Sequence, residues 1–290
     1  MTRRSALGLA VLGAARSMLA APAAVPQLCL FSKALAKVGY TDLGEIVKQL
    51  GFDGVDLTVR PGGHVEPRLS NVDLVRAFES IAGAGLECPL ITTGLTSPMD
   101  PGALAVLAIS GRTSIPLFRV GEWRASTPLY RKEIGGLLSI GSRYGIAMAL
   151  HNYTSENAGE TEWSVAEALA GFDPKWAGAY FDPIHHGEKW LEALKPLLPR
   201  LRAVAVKDFK LGKTGAVPCP LGEGAMDLGR LFTTLAEAGF AGPLSVRVEY
   251  AAADELGTIQ KDCQYARKQL DAAYLRRGSG SGAGSGSGMG

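Results

Sequence analysis

Four apolar runs in the second half of the chain each stop at a titratable group, a pattern that leaves few folds open. Ala179-Tyr-Phe runs into Asp182-Pro183-Ile-His185-His186, and Gly145-Ile-Ala-Met-Ala-Leu runs into His151-Asn152. Arg202-Ala-Val-Ala-Val meets Lys207-Asp208, and Leu244-Ser-Val-Arg-Val meets Glu249. Short runs without alternating polarity suit strands buried on both faces, as in parallel sheets whose crossovers are helices. Pro183 carries no amide hydrogen and ends ladder bonding beside Asp182. Apolar strands that each finish in a reactive group predict a closed parallel sheet with one reactive rim.

The rest of the chain fits that frame. Strands are expected at 28–31, 54–59, 87–92, 115–120, 145–150, 179–181, 202–206 and 244–248. Helical periodicity is expected at 41–50, 71–82, 101–109, 127–144, 162–170, 190–198 and 227–238. Thr41 can cap the first helix, Leu43, Ile46, Val47 and Leu50 form its apolar stripe, and Gly51 can end it. Strand ends recur about every 30 residues, which suits βαβ units repeated around a barrel. With 290 residues and 47% hydrophobic content, the chain can build one large core. The expectation is an α/β protein with a single (β/α)8 TIM barrel. A doubly wound open sheet is the competitor, and no Gly-x-Gly-x-x-Gly turn follows the first strand to support dinucleotide binding.

Composition narrows the functional classes. The net charge is +2, without a dense basic stripe, so a nucleic-acid partner is not expected. Cys29, Cys88, Cys219 and Cys263 are scattered with no Cys-x-x-Cys pair, which argues against a zinc ribbon or dithiol centre. Thr2-Arg3-Arg4-Ser5, a Gly/Ala-rich apolar run and small residues at 20–24 resemble a twin-arginine export signal over residues 1–24. Arg16 interrupts that run, so a stable membrane span is not expected. Residues 25–277 form the expected catalytic domain, and residues 278–290 a flexible Gly/Ser tail.

All four histidines, His64, His151, His185 and His186, fall just past an expected strand. With Asp182, Glu249, Glu122 and Lys207 they would ring the face where barrel active sites lie. Mixed nitrogen and oxygen donors suit a divalent cation such as Mn²⁺, Mg²⁺, Co²⁺ or Zn²⁺. Asp182, Glu249 and His151 are the expected ligands. Lys207 cannot ligate a metal while protonated, and is expected to neutralise Asp182 or hold a substrate oxyanion. Glu249, His151, His185 and Lys207 form the expected catalytic set. Arg60, His64, Glu66, Glu122, Trp123, Asn152, His186 and Arg247 are candidates for binding substrate, with Trp123 as a stacking wall for a sugar ring. The Val217-Pro-Cys-Pro-Leu-Gly-Glu-Gly224 segment is either a rigid turn or, by its place after the seventh strand, a phosphate loop.

Several motifs resemble the sugar phosphate isomerase/epimerase superfamily, the xylose isomerase-like TIM barrels. They are the Gly51-Phe-Asp-Gly-Val-Asp-Leu-Thr-Val-Arg-Pro-Gly-Gly-His-Val-Glu-Pro67 stretch, His151-Asn152, Phe181-Asp-Pro-Ile-His185, Ala203-Val-Ala-Val-Lys-Asp208, Pro220-Leu-Gly-Glu-Gly224 and Val248-Glu249-Tyr250. The resemblance implies a divalent-metal-assisted isomerase or epimerase that moves a proton at the carbon next to a carbonyl of a small-molecule carbohydrate. By position Asp182 and Glu249 match the family's metal-binding acids, and His185 its substrate-touching histidine. His151 stands where a glutamate is expected and Lys207 where a metal-bound histidine is expected. Losing one glutamate weakens a symmetric two-base epimerase and keeps a lyase or hydratase on an oxidised sugar, or a non-catalytic carbohydrate-binding barrel, in play. Metal-dependent nuclease action is the third class. An exported protein would meet unphosphorylated sugars or glycosides. Homo-oligomerisation is compatible with any of these.

Overall fold

In the computed structural model, which describes residues 24–122, 127–152, 164–212 and 215–280, parallel strands close into a barrel with helices between them. The barrel strands are β1 (Leu28–Phe31), β2 (Gly54–Val59), β3 (Glu87–Thr93), β4 (Leu117–Arg119), β5 (Ala147–His151), β6 (Ala177–Phe181), β7 (Leu201–Val206) and β10 (Leu244–Val246). They pair in chain order, and β10 closes the ring on β1 through Leu28–Leu244, Cys29–Ser245 and Leu30–Val246. A two-stranded antiparallel ribbon, β8 (Asp208–Gly212) with β9 (Gly215–Cys219), rises between β7 and β10. The helices are α1 (Tyr40–Gln49), α2 (Ser70–Gly83), α3 (Ala103–Arg112), α4 (Thr127–Arg143), α5 (Val165–Leu169), α6 (Trp190–Leu194), α7 (Leu228–Glu237) and α8 (Glu255–Gly280).

Strand alternation positions the site. Val55, Leu57, Met148, Leu150, Ala179, Phe181, Val204, Val206, Leu244 and Val246 pack outward into the large core under the helices. Leu90, Leu117, Ala149, Tyr180, Ala203 and Ala205 form a separate, smaller cluster inside the barrel. With a period of two, the inward parity continues to His151 on β5, Asp182 past β6, Lys207 past β7, and Arg247 and Glu249 past β10. The same register thus sends the reactive groups of four strands to one mouth, the carboxyl end of the barrel. Small Ala and Gly residues line β5 to β7 and leave interior room for Tyr180 and Arg247.

The elements depart from the sequence expectation where proline or a local cap decides. The strand expected at 115–120 pairs only over Leu117–Arg119, since Pro116 cannot donate to the ladder. The helix expected at 190–198 stops at Leu194, and Lys195–Arg200 continues as a 3-10 turn holding Pro196 and Pro199. α5 starts one residue after Ser164, whose hydroxyl and backbone amide form a capping box with Glu167; residues 162 and 163 lie outside the described residues. α1 begins at Tyr40 after Gly39, with no side-chain cap. Two elements were not expected at all, the β8–β9 ribbon and α8. Trp123, residues 1–23 and residues 281–290 lie outside the described residues, while Gly278–Gly280 close α8. Among the described residues, no helix is long and apolar enough to cross a membrane.

Candidate active site

Asp182 is the hub. It caps the 3-10 turn Pro183–Lys189 by accepting from the Ile184 amide at 3.2 Å through Oδ1. Its other oxygen, Oδ2, faces three nitrogens: Lys207 Nζ at 2.8 Å, His151 Nε2 at 3.5 Å and His185 Nε2 at 3.9 Å. Asn152 fixes the Asp182 backbone from the next strand, donating to its carbonyl at 2.9 Å and accepting from its amide at 2.6 Å. That reciprocal pair ties Asp182 to the end of the neighbouring strand.

Lys207 also donates to Glu249 Oε2 at 2.7 Å, and Lys33 approaches Glu249 Oε1 at 3.5 Å. Two acids from distant parts of the chain therefore share one buried ammonium, whose side chain is 8% exposed. Burial opposes ionisation of Glu249, but Lys207 and Arg247 outweigh it and hold the carboxyl at about 2. Asp182 meets the same opposition from burial and is still held well below the usual carboxylate range, chiefly by Lys207. His151 is pushed well below the usual imidazole value of 6.5 by burial and by Arg119, and burial lowers His185 as well. At neutral pH the mouth holds two carboxylates and two neutral imidazoles around Lys207. His185 retains a 24% exposed side chain and can reach a ligand, whereas His151, at 2%, is walled in between Tyr180 and His185.

Below this layer the barrel is itself charged. Arg247 stacks 3.9 Å from the Phe31 ring centroid, donates through Nε to Tyr180 Oη at 2.8 Å and lies 3.6 Å from Asp56 Oδ2. Asp56 also accepts from Thr92 at 2.7 Å and Ser245 at 2.6 Å, and burial raises its pKa. Asp56, Tyr180 and Arg119 were not singled out from the sequence. The available signal was a single charge inside an apolar strand, Asp56 in Gly54–Val59 and Arg119 in Leu117–Arg119, since a buried charge needs partners.

The other expected site residues have their own neighbours. His64 has Thr58 Oγ1 at 3.1 Å on Nδ1 and the Leu35 carbonyl at 3.1 Å on Nε2, so both ring nitrogens tie the β2 loop to the turn after β1. Glu66 accepts from the Gly62 amide at 2.7 Å and organises the same loop. Arg60 lies over the Phe31 ring at 5.7 Å, Glu122 is exposed, and His186 stacks on Phe181 at 5.7 Å. Arg247 turns to Asp56 and Tyr180 within the barrel and acts on Glu249 only through its charge.

The phosphate alternative for the Val217–Gly224 segment is corrected by Asp208. Its carboxylate accepts the amides of Phe209, Gly222, Gly224 and Met226 at 2.8 to 2.9 Å. Backbone donors that could cradle a phosphate already hold an anion of the chain's own. Gly222 adopts φ +89°, and a side chain there would run into the Tyr265 ring.

His151, Asp182 and His185 each offer one ligand atom, all within 4.8 Å of one another, so by spacing this trio could hold a metal ion. Glu249, expected as a ligand, stands outside the trio. Lys207 competes with an ion for that position. The oxygen both imidazoles face, Asp182 Oδ2, makes no hydrogen bond and is ion-paired with Lys207 at 2.8 Å, so a dication there would meet a buried ammonium.

Residues 116–269 match a family model described as xylose isomerase-like TIM barrel. No curated protein sequence is significantly similar to the chain. Among solved structures, a D-tagatose 3-epimerase-like protein superposes with a TM-score of 0.69 at 15% identity, covering 87% of this chain and 99% of that one. A 3-keto-D-glucoside 4-epimerase from E. coli gives 0.67 at 15% identity over 84% and 99%. A xylose isomerase-like TIM barrel protein from Mycobacterium smegmatis, in complex with magnesium, gives 0.62 at 17% identity over 81% and 89%. These likenesses establish the barrel fold.

Proposed function

The chain belongs to the xylose isomerase-like TIM barrel family, and from that premise we propose that its mouth catalyses proton transfer at the carbon next to a carbonyl of a carbohydrate. One observation carries the reading: a single ammonium, Lys207, held between Asp182 and Glu249 with the neutral imidazole of His185 beside them. A carboxylate with a pKa near 2 is a feeble base toward a carbon acid. A substrate carbonyl oxygen that accepts from Lys207 changes both partners at once. It draws the ammonium away from Glu249, raising the base strength of that carboxylate, and it places positive charge where the enediolate oxygen develops.

Glu249 then takes the α-proton and becomes a carboxylic acid. Returning that proton to the former carbonyl carbon, while the adjacent hydroxyl proton passes to the enediolate oxygen, gives isomerisation. Epimerisation follows if His185 takes up a solvent proton and passes it to the opposite face, while Glu249 releases the abstracted proton to solvent. Asp182 holds Lys207 in place by its charge, and His151 packs against Asp182. The divalent ion expected from the sequence has three of its donors at this rim, and no step here requires it. The names of two of the superposed structures, a 3-keto-D-glucoside 4-epimerase and a D-tagatose 3-epimerase-like protein, support a keto-sugar as the substrate class. Export through the twin-arginine route stays part of the proposal and favours an unphosphorylated substrate, in keeping with the occupied Asp208 cradle.

The reading is tested by incubating the protein with a panel of keto-sugars and 3-keto-glycosides in D₂O and following the carbon-bound protons by NMR. Loss of one α-proton signal supports it. A sugar that binds, by calorimetry, without any exchange marks a carbohydrate-binding barrel instead.

A further inference from the structure

The trio of metal-type donors and the ammonium beside it make opposite demands on one atom. Asp182 Oδ2 is the closest approach of His151 Nε2, His185 Nε2 and Lys207 Nζ to that carboxylate. The ion-bonding distances of a divalent cation to oxygen and imidazole nitrogen, about 2.0 to 2.2 Å for Zn²⁺, would place it within the same few ångströms of Lys207. Lys207 is 6% exposed as a residue, and its ammonium is anchored on its other side by Glu249 at 2.7 Å. Water cannot screen such a repulsion effectively. The charge count leads the same way: two carboxylates, Asp182 and Glu249, are matched by two ammonium groups, the buried Lys207 between them and the exposed Lys33 on the outer oxygen of Glu249.

We propose that Lys207 is the resident cation of this site, an ammonium that bridges Asp182 and Glu249 and keeps divalent ions off the His151–Asp182–His185 trio. The chain carries in covalent form the positive charge that its donor cluster would otherwise take from solution. Removing that ammonium unmasks a metal site made of His151, Asp182, His185 and the released Glu249. The inference goes beyond the proposed reaction, and its experiment needs no substrate, so the two can fail separately.

Mn²⁺ is titrated into metal-stripped protein and free Mn²⁺ is followed by electron paramagnetic resonance, with Zn²⁺ calorimetry in parallel. Native protein is expected to take up no stoichiometric Mn²⁺ or Zn²⁺ at this site. Lys207→Met, verified as folded by circular dichroism, is expected to bind one equivalent at least about 100-fold more tightly. Lys207→Arg, which keeps the charge, is expected to behave as the native protein does. Lys207→Met combined with Asp182→Asn is expected to lose the gain, which locates the ion. One equivalent bound by native protein and abolished by Asp182→Asn would overturn the proposal even if Lys207→Met did not fold. A folded Lys207→Met that gains no affinity would overturn it as well.

Discussion

Lys207 Nζ lies 2.7 Å from Glu249 Oε2, joining the residue after β7 to a residue three past the end of β10. Burial penalises both charges, and this contact offsets part of that penalty alongside Asp182 on Lys207 and Lys33 on Glu249. Lys207→Met leaves Asp182, 1% exposed, and Glu249 facing each other with no shared counter-ion. The variant is expected to lose about 3 kcal/mol of folding stability at pH 7 in denaturant titration, and catalysis of about 10²-fold or more. Lys207→Arg should recover most of the stability and little of the rate, because its fork cannot reproduce a point donor between two acids.

Acid should destabilise the protein through the same groups. The folded-state pKa of Glu249 is about 2, below its ordinary 4.5, and Asp182 is depressed in the same direction. A depressed carboxylate stabilises the fold above its unfolded pKa and ceases to do so as pH falls through the folded value. His151, held well below 6.5, adds to the loss, because below that pH the unfolded chain binds a proton the folded one refuses. Urea midpoints are expected to fall steadily from pH 6.5 downward. In Glu249→Gln the fall should be shallower between pH 4.5 and 2, by at most about 3 kcal/mol in total.

The reciprocal bonds between Asn152 and the Asp182 backbone can be tested without removing a reacting group. Asn152→Leu leaves a buried amide and carbonyl without partners, and is expected to cost about 2 to 3 kcal/mol in stability. If Asn152 positions Asp182, kcat should drop with KM little changed, and Asn152→Asp should restore neither, since it cannot donate to the carbonyl. Paired denaturation and kinetic measurements check both.

His185 separates epimerisation from exchange. Its imidazole sits 3.9 Å from Asp182 Oδ2 with a part-exposed edge toward the mouth. His185→Gln is expected to retain solvent exchange into the substrate, driven by Glu249, while losing at least about 10²-fold in formation of the inverted sugar. Chiral analysis of the product alongside the exchange rate reads the two steps apart.

Much of this was legible in the chain. Strand ends at His151, Asp182, Lys207 and Glu249 could be placed because apolar runs stop abruptly at charged residues, and the period of two then aims each inward. The helix starting at residue 190 was harder, since Pro196 and Pro199 divide what periodicity reads as one element. The β8–β9 ribbon escaped because its alternation is weak and its anchor is one side chain, Asp208, accepting amides up to 18 residues ahead. His64 illustrates the reverse case. It follows a strand as the other histidines do, yet Thr58 and Leu35 hold both of its nitrogens, and such partners are visible only in three dimensions.

The most direct measurement of the central claim is carbon-bound deuterium uptake from D₂O into a bound keto-sugar by native protein and Glu249→Gln. Deuterium at the carbon beside the carbonyl with native protein, falling at least about 10²-fold in the variant while sugar affinity stays within a few-fold, is the predicted result. Uptake at the native rate in Glu249→Gln, or none in native protein with any keto-sugar that it binds, would contradict the account.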